Sequence, residues 1–287
     1  MDTLQDSEIQ HQLDHPRWVH DMRAYLRPYW DKFLGGPFIE GVRTRRLSIP
    51  EMQGWILQMY PFIHTFPKFL AMALQKVEDD DAREYFIMNI RVERSHARHW
   101  LDMGEGFGVS RHAMLEIANG DGPVLRDVQS LTDWLWTVNS RDTLAEAVAA
   151  TSFAIEGLTG DLSRKVLAGF ESYGELPGVR MDRQTSRWVR EHAKYDDDHP
   201  KIALEIVKRY ATTERVQKRV MLAAKRSAQL LDLALDVSYR AYSIERTAAA
   251  PHDLQRRMGD RRKHAITIPF PDRRFAERRG HAGYAQS

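Results

Sequence analysis

Three side chains of metal-binding type stand at His192, Asp196 and His199, a spacing of i, i+4 and i+7 that a helix of 3.6 residues per turn would stack on one face. A second pair, Glu93 and His96, sets a carboxylate and an imidazole at i and i+3. Between them in the chain Glu156 stands alone among Ala154, Ile155, Leu158 and other apolar residues. A buried carboxylate without a partner is costly, so Glu156 calls for a cation, either Arg, Lys or a metal. Together the segments offer three histidines and three carboxylates, a donor set suited to two iron ions. Mixed imidazole and carboxylate shells with open positions favour iron, with manganese as the alternative, over the closed Cys- and His-rich shells of structural zinc. Carboxylates also bridge two ions and change binding mode as the metals change oxidation state. The bland reading of each piece is a solvated surface pair for Glu93 and His96, and a solvated acidic face for Asp196, Asp197 and Asp198. The six residues carry weight jointly.

These residues require long helices to bring them together. Apolar positions at Trp18, Met22, Tyr25, Leu26, Tyr29 and Phe33 follow a helical period over residues 7–33, closed by Gly35, Gly36 and Pro37. Ser48 followed by Pro50 and Glu51 reads as a capping box opening a helix through Trp55, Met59, Ile63, Phe66 and Leu70, with Pro61 and Pro67 as candidate kinks. The acids at 78–81 suit the N-terminus of a helix running from about Ala82 to Gly104, which carries Glu93 and His96. Further helices are expected after Ser110, near 130–138, at 141–172, near 182–210 and at 213–245. No alternating pattern calls for a sheet, so the body reads as all-α with about eight helices.

Composition narrows the chemistry. The chain has 287 residues, 43% of them hydrophobic, enough for a full core. It contains no cysteine, which removes disulfides, thiolate metal sites and thiol nucleophiles together. No apolar run reaches membrane-spanning length and the start of the chain is polar, so a cytoplasmic protein is expected. The net charge of +2 is uneven: residues 251–287 hold nine Lys and Arg against four Asp and Glu, leaving the first 250 residues at −3. A mildly acidic body does not point to nucleic acid. The basic end, with Pro269 and Pro271 and no apolar stripe, reads as a flexible tail over 246–287.

In this order, Glu-x-x-His, then an isolated Glu about sixty residues on, then His-x-x-x-Asp-x-x-His, the motifs resemble the haem-oxygenase-like di-iron oxidases. That branch shares its fold with thiaminase-II-like and pyrroloquinoline-quinone-synthase-like proteins. Residues Gly41 to Ser48 with Tyr60 to Pro67, His96 to Leu101 running into Gly108, and His199 to Leu204 are similar to the family's core and ligand helices. The resemblance covers roughly 37–242, leaving 1–36 as an N-terminal helical extension and 37–245 as the di-iron domain. It implies a haem-oxygenase-like helical bundle, two Fe(II)/Fe(III) ions held by Glu93, His96, Glu156, His192, Asp196 and His199, and O2 as co-substrate. Several members place more residues between the first Glu and His, so Glu93 is the ligand on which this chain departs most. His99 competes with His96, but i+3 sets His96 beside Glu93 and i+6 turns His99 away. Asp197 and Asp198 are the neighbours that would replace Asp196.

The implied activity is a non-haem di-iron oxidoreductase acting on a small molecule, by N-oxygenation of an amine, oxidative cleavage of an amino acid or decarboxylation of a fatty acid. A homodimer and an external electron donor are the further partners expected. Thiaminase-II-like members use a cysteine that this chain lacks. The alternatives are a metal-free cofactor-biosynthesis enzyme of the quinone-synthase type and a non-catalytic binding or regulatory module. Tyr60, Phe66, Trp100, Phe153, Trp188 and Tyr195 are candidate pocket walls, or plain core.

Overall fold

The computed structural model of the chain describes residues 15–194 and 198–243. Among these residues there is no strand, and the all-α expectation holds. The first helix, α1 (Arg17–Leu34), begins later than the apolar period implied, because Pro16 stands at its N-cap; residues 1–14 and the basic tail lie outside the described residues. Of the apolar positions read from the sequence Met22, Leu26 and Phe33 are buried, Val19 joins them, and Tyr25 is exposed. A short α2 (Pro37–Arg43) leads to α3 (Ile49–Leu74), opened by the expected box: Ser48 Oγ accepts from the Glu51 amide while Glu51 Oε2 accepts from the Ser48 amide at 2.8 Å. Pro61 and Pro67 are accommodated inside one helix.

Asp79 caps α4 (Asp80–Gly106), which packs along α3. Ser110 caps α5 (Arg111–Ala118), and α6 (Arg126–Arg141) follows. The stretch expected as one helix over 141–172 is more elaborate. A second capping box, Thr143 with Glu146, starts α7 (Leu144–Val148). The backbone then widens into a π-helix over Ala149–Glu156 and returns to α geometry in α8 (Gly157–Glu171).

From 187 on, the described residues of the stretch expected as a helix near 182–210 are helical, and 195–197 lie outside the described residues. A turn covers 183–186, α9 occupies Arg187–Lys194, and α10 runs from Asp198 to Tyr210. Thr213 caps α11 (Glu214–Arg240), whose neighbours are α1, α3, α6 and the π segment. About eight helices were expected, and among the described residues the chain divides more finely because of the short α2 and the π segment. No helix among the described residues is long and apolar enough to cross a membrane.

Close helix contacts fix this arrangement where a glycine permits them. A Cβ on Gly169 of α8 would collide with the carbonyl oxygens of Val42 and Arg43 at the end of α2, so that crossing demands glycine. Helix α9 rests on α8 and α4, while α10 rests on the π segment and α7. The groups singled out by type thus lie on α4, the π segment, α9 and α10.

Candidate metal centre

Helix α4 presents Asn89, Glu93 and His96 at i, i+4 and i+7, on one stripe facing inward; all three are buried, at 0%, 7% and 3% exposure. Helix α9 brings His192 against them, its ring 4.2 Å from that of His96. Glu93, His96 and His192 each offer a ligand atom within 4.8 Å of the others, the arrangement a single ion needs. Glu156 stands at the last position of the π segment. Segments of this kind alter the helical register locally and recur at functional sites. His199 near the start of α10 reaches it, with Nδ1 3.4 Å from Glu156 Oε2. All five line one small cleft, with about 30 Å³ of room, closed by Gly157, Gly160 and Pro200. Asp196, the sixth expected ligand, lies outside the described residues, as do Asp197 and Tyr195.

Hydrogen bonds fix the orientation of these groups. His192 Nδ1 lies 2.8 Å from the Trp188 carbonyl and donates to it, which leaves the lone pair on Nε2. His96 Nδ1 meets Glu93 Oε1 at 3.0 Å. The Asn89 amide donates to both oxygens of Glu156, at 3.0 and 3.2 Å, and so fixes the plane of that carboxylate. Among the described residues the basic side chain that meets Glu156 is His199. Among the described residues no Lys or Arg forms an ion pair with Glu93 or Glu156.

Electrostatics follow from burial. Desolvation raises the Glu93 carboxyl to about 7, against the pull of His192 and His199. Glu156 is raised as well, by burial first and by nearby Glu93, with His199 and Asn89 opposing. Burial lowers His96 to about 4 and His192 to about 3, so both imidazoles are neutral near pH 7 and keep the lone pairs that a metal requires. Among the described residues the two carboxylates meet histidines but no Lys or Arg, an arrangement that added positive charge would favour.

His99 takes a different role from His96. Its Nδ1 contacts Glu191 Oε2 at 3.2 Å, and the same oxygen lies 3.7 Å from His96 Nε2. Burial pushes Glu191 up, but the Arg187 guanidinium and the two histidines outweigh it and hold the carboxyl below its ordinary range. Neither Glu191 nor Asn89 was singled out from the sequence. Asn89 was within reach, lying four residues before Glu93 on the same stripe. Glu191, between Arg190 and His192, carries no such signal. Of the aromatic candidates, Trp188 stacks on the His192 ring at 4.1 Å and Trp100 on Trp188 at 4.6 Å. Phe66 packs in core with Phe62 and Phe69, Phe153 packs on Trp30, and Tyr60 lies against His64.

A family model described as iron-containing redox enzyme matches residues 53–232, a span that holds every candidate ligand. Comparison with curated proteins gives no match. Among solved structures, a TenA homolog from Pseudomonas syringae pv. tomato is 28% identical, with a TM-score of 0.70 over 79% of this chain and 94% of that one. A domain of unknown function with a heme oxygenase-like fold from Shewanella denitrificans gives 18% identity and a TM-score of 0.65, covering 78% and 93%. A putative TenA-like thiaminase from Sulfolobus solfataricus gives 14% and 0.56, covering 78% and 96%. These similarities carry the heme-oxygenase-like helical fold.

Proposed function

Because the chain belongs to the family of iron-containing redox enzymes, we propose that it is a non-haem di-iron oxidase or oxygenase, which uses O2 to oxidise a small metabolite. The observation that carries the reading is the cleft in which Glu93, His96 and His192 converge and Glu156 and His199 face them. The donor set fits iron: neutral imidazoles, carboxylates without a basic partner among the described residues, and no cysteine. Glu93, His96 and His192 would hold one ion. Glu156 and His199, with Asp196 from the adjoining segment, would hold the second. Bound iron supplies one-electron redox chemistry and the activation of O2.

The chain's own residues prepare that site. The Trp188 carbonyl fixes the His192 tautomer, and Asn89 holds Glu156 with both oxygens engaged. Burial keeps both histidines deprotonated, so no proton competes for their lone pairs near neutral pH. Gly157, Gly160 and Pro200 form a wall without polar side chains, which limits water beside the reacting atoms. The outcome is N-oxygenation, oxidative C–C cleavage or decarboxylation of an amine, amino acid or fatty acid, with electrons from an external donor. A TenA-like thiaminase shares the fold, but thiol chemistry is closed to a chain without cysteine.

The test is iron content and O2 uptake of protein produced with iron supplied, screened against those three substrate classes. The wild type is expected to hold two irons per chain and to consume O2 in the presence of substrate. Glu156→Ala and His192→Ala are each expected to lose tight loading. Retention of two irons by either variant, or none in the wild type, overturns the assignment.

A further inference from the structure

Three of the seven tryptophans form an unbroken file that begins at the candidate metal centre. Trp188 lies one turn before His192 on α9, ring centroids 4.1 Å apart; Trp100 lies one turn after His96 on α4 and meets Trp188 edge to face at 4.6 Å. Trp55 of α3 continues the file at 5.0 Å from Trp100. Phe38, 5.0 Å from Trp55 and 5.6 Å from Tyr239, bridges to that tyrosine, whose ring carries the Arg240 guanidinium at 5.7 Å. The tryptophans are buried at 3%, 1% and 4% exposure for Trp55, Trp100 and Trp188, and Tyr239 is at 6%.

Core packing explains aromatic contact but neither the order of the rings nor their hydrogen bonds. Indole and phenol are among the side chains most easily oxidised, and a chain without cysteine has no thiol to compete. An indole that has lost an electron becomes a strong N–H acid, and proton loss traps the hole where it stands. Trp55 Nε1 and Trp188 Nε1 are buried with no hydrogen-bond partner among the described residues, and Trp100 Nε1 donates to the Ile56 carbonyl at 2.8 Å, too weak a base to take the proton. Each ring therefore keeps its proton, and the hole stays mobile until it reaches Tyr239, the residue in the file whose oxidation ends in proton release.

We propose that Trp188, Trp100 and Trp55 form a relay that carries oxidising equivalents away from the metal centre toward Tyr239 when O2 is activated without substrate. The inference rests on the di-iron reading for its source of oxidant. In each event Trp188 would give up one electron to the oxidised centre. Trp100 refills Trp188, and Trp55 refills Trp100. Tyr239 refills Trp55 and gives its phenolic proton to water, and a small one-electron reductant such as ascorbate restores the tyrosine, being itself oxidised. The relay spares the ligand histidines, whose rings would otherwise be the nearest oxidisable groups.

The deciding experiment needs no iron. With no native cysteine, Gln184→Cys gives a single thiol at an exposed position one turn before Trp188, to carry a ruthenium polypyridyl photo-oxidant. Flash oxidation of the full chain is expected to give an indole radical and then a tyrosyl radical, followed by transient absorption and electron paramagnetic resonance. Tyr239→Phe is expected to abolish the tyrosyl signal. Trp100→Phe, which keeps an aromatic ring in the file, should cut its yield by about an order of magnitude, a loss that packing alone does not predict. Equal tyrosyl yields in Trp100→Phe and the parent, or no radical beyond Trp188, overturn the relay. In iron-loaded protein given O2 without substrate, peptide mass spectrometry is expected to find oxidation at Tyr239 and Trp55 in the wild type and at His192 and His96 in Trp188→Phe; an unchanged pattern contradicts it. Iron content of the same samples reports separately on the di-iron reading.

Discussion

Replacing Glu93 by glutamine separates what the site costs the fold from what it gives the metal. In the metal-free chain the buried Glu93 carboxyl titrates at about 7 instead of 4.5. In the unfolded chain it ionises at its ordinary value, so between these limits the folded state binds more protons and stability falls as pH rises across the window. At about 1.4 kcal/mol per pH unit, the ionised side chain costs the fold about 3 kcal/mol at pH 8. Glutamine has the same shape, keeps an oxygen toward His96 Nδ1 and carries no charge. Glu93→Gln is therefore expected to stabilise metal-free protein by about 3 kcal/mol at pH 8 and by almost nothing at pH 4.5. Urea unfolding of chelator-treated protein at both pH values, followed by tryptophan fluorescence, measures the difference. Anaerobic Fe(II) should invert the order, because saturation at about a thousand times Kd adds about 4 kcal/mol to the wild type alone. If Glu93→Gln destabilises the metal-free chain at pH 8, or gains equally at both pH values, the carboxylate is not a desolvated anion awaiting a cation.

Other outcomes follow from the same geometry. Asn89→Leu removes the donor that holds both Glu156 oxygens, and should weaken iron affinity about 10- to 100-fold in chelator competition. Iron uptake at pH 6 should release at least one proton, because Glu93 must ionise while His96 and His192 are already neutral; affinity should fall about tenfold per unit below pH 7, read by calorimetry in buffers of different ionisation heat. Uptake without proton release at pH 6 would contradict a protonated Glu93 beside two neutral imidazoles. Gly169→Ala should lower stability by about 1–3 kcal/mol in chemical denaturation, since the new methyl meets the Val42 and Arg43 carbonyls.

The helices that hold the site were legible because their signals are local. Ser48 with Glu51 and the apolar stripe of α1 each depend on residues within a few turns, and both occur where the pattern places them. The pairing of Glu93 with His96 was likewise set by i and i+3 spacing, which also separated His96 from His99. The π segment was not legible: Ala149 to Glu156 is as apolar and helix-compatible as an α-helix, and its distinguishing surroundings, α10 and α11 packed against it, are tertiary. Glu191 escaped for a related reason. Its place between Arg190 and His192 gives no pattern, and only the fold sets it against His99 and His96. Local chemistry names ligands; tertiary contact decides which other groups surround them.

The most direct measurement is anomalous diffraction at the iron edge from crystals of the chain loaded anaerobically with Fe(II). Two peaks are expected inside the cleft, one among Glu93, His96 and His192 and one beside Glu156 and His199. A single peak, or no peak between these side chains, would contradict the di-iron assignment.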